Sequence, residues 1–216
     1  MATIIIAGDC ASDNKEQANS LSSCRDVELL IKECDYGIVN LEAVASDSHR
    51  FSNIAKQGPS LVAPEAFLGV IRDIGFKAVT LANNHILDYG DEALNDTLKG
   101  LEDRGTDYIG AGIKIADANR ILYKTISEQR FAFINCCEHE FSIASDTHGG
   151  ANPLEPIKQF YQIQEAKLKA DYIVMIIHGG VEHFQYPTPR MVNTYRFFID
   201  AGADAVINHH QHCPCG

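Results

Sequence analysis

Short β-branched runs alternate along this chain with longer stretches whose apolar positions recur at helical spacing. That alternation predicts an α/β fold. Thr3–Ala7, Tyr36–Leu41, Lys77–Leu81, Asp171–Ile177 and Ala203–Ile207 read as strands, and Tyr108–Gly112 as a short strand and turn. Ile121–Ile126 and Arg130–Asn135 alternate as a hairpin joined near Glu128 and Gln129. Asp26–Glu33, Pro64–Ile74, Asp91–Arg104, Pro153–Ala170 and Arg190–Ala201 read as helices, with Pro64 suited to a first turn. Residues 43–63 and 138–152 are long polar segments, a length that usually marks a functional or mobile loop. No internal repeat or low-complexity tract interrupts this order.

The polar residues at the strand ends change the picture. Leu81-Ala-Asn-Asn-His-Ile-Leu-Asp-Tyr-Gly90 leaves the carboxyl end of one strand and leads into a helix, the place where open α/β sheets bind ligands. Asn83 or Asn84 alone reads equally well as a helix cap. Packing gives no reason for two amides, His85 and Asp88 in a single turn. Asp9, Glu42, His178 and the cluster His209-His210-Gln211-His212 occupy other strand ends. Asp9 can be an ordinary turn residue and Glu42 a surface charge. His178, after a largely apolar run, needs a partner if buried, and the three closing histidines are harder to explain without a metal. On an extended segment His210 and His212 face the same way. Carboxylate and amide oxygens with imidazole nitrogens suit Mn²⁺, Fe²⁺ or Zn²⁺. Two such ions bridged by a carboxylate clamp a phosphoryl group and lower the pKa of water.

Composition narrows the partners. Apolar and charged contents of 45% and 22% are ordinary for a soluble globular chain, and the length suits one domain over residues 1–216. A net charge of −11 argues against nucleic acid or an anionic membrane surface, although a bound dication can reverse the local field. Met1–Ala7 lacks a basic leader and is too short to span a bilayer, which gives a cytoplasmic expectation with no membrane segment. Seven irregularly spaced cysteines make a poor disulfide framework and fit reduced thiols. His49, Arg50 and Lys56 can meet an anionic substrate or be plain solvated charges. The loop residues Glu138, His139, Glu140, Asp146 and His148 can bind metal but lack helical ligand spacing.

Collinear over nearly the whole chain, these elements resemble the CapA-type family of poly-γ-glutamate capsule-synthesis proteins, a branch of the calcineurin-like metallophosphoesterase superfamily. The resemblance is carried by Gly8-Asp9, Asn40-Leu-Glu42, Lys56-Gln-Gly-Pro59, Leu81-Ala-Asn-Asn-His85 with Asp88-Tyr-Gly90, and Gly110-Ala-Gly112. It continues in His178-Gly-Gly with Glu182, and in Gly202-Ala-Asp204 through His212. It implies a layered αββα sandwich with mixed central sheets, and the chain stops where members usually add strands. It also implies one or two divalent ions: Asp9 and His212 holding one, Glu42 bridging, Asn84, His178 and His210 holding the other. His85 becomes the general acid, oriented by Asp88, with Lys56, Glu182 and His209 facing the substrate. Three positions depart from the superfamily pattern. Ala11 replaces a histidine, Glu42 an aspartate and Asn208 a glycine, which leaves the first metal short of donors and His209 an alternative ligand.

Two functions follow from the resemblance. One is a metal-dependent hydrolase of a phosphoester or related bond, associated with capsule-polymer synthesis, with amide chemistry on a γ-glutamyl polymer as a variant. The other is a non-catalytic accessory protein that binds metal and an acidic polymer. The lack of a membrane anchor weighs against an export role.

Overall fold

The computed structural model describes residues 2–12, 24–47 and 51–214. His49, Arg50 and Cys215 lie outside these residues. Two four-stranded sheets face each other, each covered on its outer side by helices, in the αββα order expected.

The first sheet contains β1 (Ile4–Cys10), β2 (Tyr36–Leu41), β5 (Ala78–Thr80) and β6 (Asp107–Ile109), all parallel, in the order β1-β2-β5-β6. Two short pairs flank it: β3 (Val44–Ala45) with β4 (Val62–Ala63), and β7 (Ala111–Gly112) with β10 (Gly150–Ala151). Three helices accompany it, α1 (Arg25–Lys32), α2 (Ala66–Ile74) and α3 (Gly90–Asp103), and a short α4 (Ile115–Ala118) follows β7. The second sheet runs β12-β11-β9-β8, where β8 (Leu122–Ile126) and β9 (Gln129–Cys137) form the hairpin and β11 (Tyr172–His178) and β12 (Ala205–His209) are parallel to β9. Helices α5 (Pro156–Ala166) and α6 (Pro189–Ala201) cover its outer face.

Three apolar layers hold this together. Leu41, Leu68, Ile71, Leu81 and Leu94 fill the space between the first sheet and its helices. Ile134, Ile163, Met175, Ile177 and Phe198 do the same for the second. Tyr36, Ile38, Phe131, Phe133 and Ile176 interleave between the sheets, with Tyr36 and Phe133 stacked at 5.9 Å. Strands buried on both faces explain the near-continuous apolar runs at 36–41 and 172–178. In the hairpin, Ser127 and Glu128 both take positive φ, as a two-residue turn between right-twisted strands requires.

Several boundaries move. The first strand extends to Cys10, so Asp9 lies within it, beside a register shift between Ala7 and Asp9 that re-aims its side chain. The fifth helix begins at Pro156 and ends at Ala166, shorter than the periodicity suggests. The third helix starts at Gly90 with Tyr89 at its N-cap, so neither Asn83 nor Asn84 caps it. Parallel pairing in both sheets brings the carboxyl ends of β1, β2, β5, β11 and β12 to one side, and the polar residues are concentrated there.

Candidate metal centre

β2 delivers two inward residues at its end. Asn40 and Glu42 alternate with Leu41, so both point away from the helices, and both are buried. Asp9 approaches from β1 and His178 from the end of β11. Beyond β12 the backbone turns at His210 and His212, both at positive φ, so these residues are not on an extended segment as the spacing suggested. The bend nonetheless brings both imidazoles to the centre. His183 also has positive φ, and its N–H donates to the Gln211 carbonyl at 2.8 Å. Non-glycine residues in this region carry about 1–3 kcal/mol of strain each and gather at functional sites.

The donors form two triads that share one carboxylate. Ligand atoms of Glu42, His178 and His210 lie within 4.8 Å of one another, as do those of Asp9, Glu42 and His212. Asn84 Oδ1 is 3.1 Å from His178 Nε2 and adds a fourth donor to the first triad. His178 Nε2 is 3.4 Å from Glu42 Oε1, while His212 Nδ1 is 3.4 Å from Asp9 Oδ2. Among the described residues, no hydrogen bond reaches the buried Glu42 Oε1 or His210 Nδ1. An anionic oxygen in that position is costly unless a cation meets it. Oxygen and imidazole donors, one shared carboxylate and an orphaned anion together fit divalent cations.

The electrostatics agree with a site built for positive charge. Burial pushes the Asp9 carboxyl up, but His178 and the His210 amide outweigh it and hold the group well below the usual carboxylate range. Burial lowers His178, and Asp9 and Glu42 more than offset this, so it ends above its ordinary value. His210 is lowered by burial and by the nearby His178. Burial pushes the neighbouring Cys10 thiol up to about 12.

The acid assigned by resemblance sits at the edge of this centre. Asn83 organises the turn: its Oδ1 accepts the His85 N–H at 3.0 Å, and its Nδ2 donates to the Leu41 carbonyl at 2.8 Å. His85 Nδ1 faces Asp88 Oδ2 at 2.7 Å, leaving Nε2 as the outward nitrogen. Asp88 is fully buried, accepts the Leu61 N–H at 2.7 Å and pairs with Lys56. Lys56 Nζ lies 3.1 Å from His85 Nδ1, and its side chain is almost wholly buried. It is thus committed to Asp88 while still lining the cleft. That cleft has a volume of about 590 Å³ and is walled by Asp9, Glu42, Lys56, His85, Glu182 and His212 among others.

Other candidates separate. Glu182 is half exposed on the rim, 4.0 Å from His210 Nε2, and Glu140 stands 3.8 Å from the same atom. Of the 138–152 cluster, Glu140 approaches the first triad, whereas Glu138 is taken by Arg190 at 2.6 Å. His209 does not line that cleft. It is buried, has no partner on either ring nitrogen among the described residues, and borders a second cavity that Asp9, His210 and His212 also line, beside Met191, Tyr195 and Val206. Reading the sequence missed Asn40 and His183. The available signal for Asn40 was its position two residues before Glu42 on the same strand face. The described cysteines are free thiols, and no described helix is long and apolar enough to cross a membrane.

The sandwich with its donors at one sheet edge defines the metallophosphoesterase-like class of fold. Solved structures agree on that fold. A putative 5′-nucleotidase from Staphylococcus aureus, in complex with α-ketoglutarate, matches with a TM-score of 0.61 at 18% identity over 98% of this chain and 46% of its own. A hypothetical protein from Thermus thermophilus matches with a TM-score of 0.56 at 14% identity, over 98% and 68%. Within that class the chain belongs to the bacterial capsule synthesis protein family PGA_cap, whose model matches residues 3–216. The capsule biosynthesis protein CapA of Bacillus anthracis is 31% identical over 87% of this chain and 47% of its own length. The PGA biosynthesis protein CapA of Bacillus subtilis (strain 168) is 29% identical over 96% and 55%. The chain therefore spans about half the length of these relatives.

Proposed function

We propose that this chain is a metal-dependent hydrolase of a phosphoester or related bond, acting in capsule-polymer synthesis, with residues 1–216 folded as a single domain. The observation that carries the reading is the pair of donor triads sharing Glu42 beside a histidine held by a buried carboxylate. Asp9, Glu42 and His212 would hold one divalent ion, and Glu42, Asn84, His178 and His210 the other. Such ions supply Lewis-acid polarisation of the scissile group and a water of lowered pKa. The protein's own part is geometric. Asp88 accepts from His85 Nδ1 and so fixes the ring, leaving Nε2 to hand a proton to the leaving oxygen. Lys56 compensates the Asp88 charge and, from the cleft wall, offers its remaining N–H groups to a substrate anion. Among the described residues, Asp9, Glu42, Glu140 and Glu182 outnumber the single lysine around the cleft, so an acidic substrate would enter only after cations are bound.

A second reading has its own support, because relatives in Mycobacterium tuberculosis bear the name probable polyglutamine synthesis accessory protein. In it the same centre binds metal and an acidic polymer without cleaving it. One experiment separates the two. Metal content is measured after purification, and the Mn²⁺-loaded protein is assayed on phosphodiesters, phosphomonoesters and γ-glutamyl polymer. We expect hydrolysis in this panel and a loss of roughly a hundredfold or more in His85→Asn, with metal content retained. Loaded wild-type protein that binds the polymer but cleaves nothing would replace the first reading with the second.

A further inference from the structure

We propose that Asn40, together with Asn83, forms an amide relay that fixes Asp9 in its metal-binding orientation and ties it to the turn bearing His85. The inference rests on the metal-binding reading above, and it assigns a positioning role to residues outside the ligand set.

Backbone groups, whose donor and acceptor ends cannot exchange, set the direction of the relay. The His85 N–H can only donate and the Leu41 carbonyl can only accept. Asn83 answers the first with Oδ1 at 3.0 Å and the second with Nδ2 at 2.8 Å, so its orientation is determined. The same Nδ2 faces Asn40 Oδ1 at 3.4 Å, and the Thr80 hydroxyl donates to that oxygen at 3.1 Å. Asn40 must therefore turn its NH₂ to the centre. There it donates to Asp9 Oδ1 at 2.7 Å and lies 3.3 Å from His178 Nδ1. The His210 N–H takes Asp9 Oδ2 at 2.9 Å, so both oxygens of Asp9 are held.

The choice of donor matters. A lysine or arginine in place of Asn40 would neutralise Asp9 and compete with an incoming cation. An amide orients the carboxylate and leaves its charge intact. Asn40 and Asn83 are both completely buried, which removes water as a substitute donor. The side chains of Asn40 and Asn83 thereby link the turn that presents His85 to the strand that presents Asp9. Partners of this kind typically contribute 10–100-fold to metal affinity.

Mn²⁺ and Zn²⁺ titration calorimetry on wild type, Asn40→Ala and Asn40→Asp tests the role, with thermal melts of the metal-free proteins as the control for folding. Asn40→Asp keeps the shape and the acceptor toward Asn83 and Thr80 but sets an oxygen against Asp9. We expect both variants to bind either ion about tenfold or more weakly than wild type. Variants that melt lower without metal yet bind Mn²⁺ with wild-type affinity would show a merely structural asparagine and overturn the proposal. Should neither variant fold, a crystal structure of Mn²⁺-loaded wild type decides: Asp9 Oδ1 still on Asn40 Nδ2 supports the relay, and Asp9 turned away from it refutes it. Wild type that takes up no ion removes the metal reading itself, an outcome distinct from unchanged affinity in the variants.

Discussion

His209 and His210 are adjacent in sequence and opposite in circumstance. His210 meets Glu42 and His178, while neither ring nitrogen of the buried His209 has a partner among the described residues. Burial, the largest influence, lowers the His209 pKa below its ordinary value of 6.5, so folding favours the neutral ring. Its contribution is present above about pH 6.5 and is lost as pH falls from there through the lowered folded value, because the unfolded chain takes the proton first. His178 has the opposite sign. Its raised pKa gives a contribution complete below 6.5 that disappears as pH rises through the folded value. His209→Leu removes the first effect and leaves the second. In metal-free protein it should match or exceed wild-type stability near neutral pH, by about 1 kcal/mol, since an unsatisfied polar group leaves the interior. Its advantage should widen as pH is lowered from about 7.5 to 5.5, read from thermal melts. An unchanged difference across that range would contradict the assignment. At this scale the candidate donors were legible in the sequence because most sit at or just beyond the end of a strand. The spacing in His209-His-Gln-His212 does not reveal that the chain bends after β12.

Among elements, the junction between the sheets is the part that places His85. Asn135 on β9 reaches across: its Oδ1 accepts the Ala82 N–H at 2.8 Å and its Nδ2 donates to the Ile176 carbonyl at 3.0 Å. The turn after β5 is thus fastened to the second sheet just before Asn83 and His85. Gly110 permits this approach. Its φ is +91°, and a Cβ there would stand 1.8 Å from Asn135 Oδ1. Gly110→Ala should therefore cost about 3 kcal/mol from overpacking and backbone strain. Chemical denaturation measures that cost, and a change below about 0.5 kcal/mol would mean the junction is not under tension. The Gly-Ala-Gly pattern was visible in the sequence as a motif. Its reason was not, because Asn135 is twenty-five positions away and on the other sheet.

For the whole molecule, cation binding and folding are linked. Asp9, Glu42, His178, His210 and His212 come from four separate segments, so the unfolded chain has no comparable site and any bound ion stabilises the folded form. At a hundredfold excess over the dissociation constant this amounts to about 2.7 kcal/mol. For a chain of this size the melting temperature should rise by roughly 5 °C or more with Mn²⁺ and fall back on adding a chelator. A melting temperature indifferent to both would contradict a metal centre at this edge. The local pattern alone determined the α/β class, the order of the main strands and helices and which polar residues stand at strand ends, because periodicity and strand ends are properties of neighbouring residues. Tertiary structure alone decided that Asn40 backs Asp9, that Lys56 belongs to Asp88 and that Asn135 fastens the turn before His85. Those are relations between residues brought together by parallel strand pairing and sheet packing, and the spacing of letters along the chain carries no distance across it.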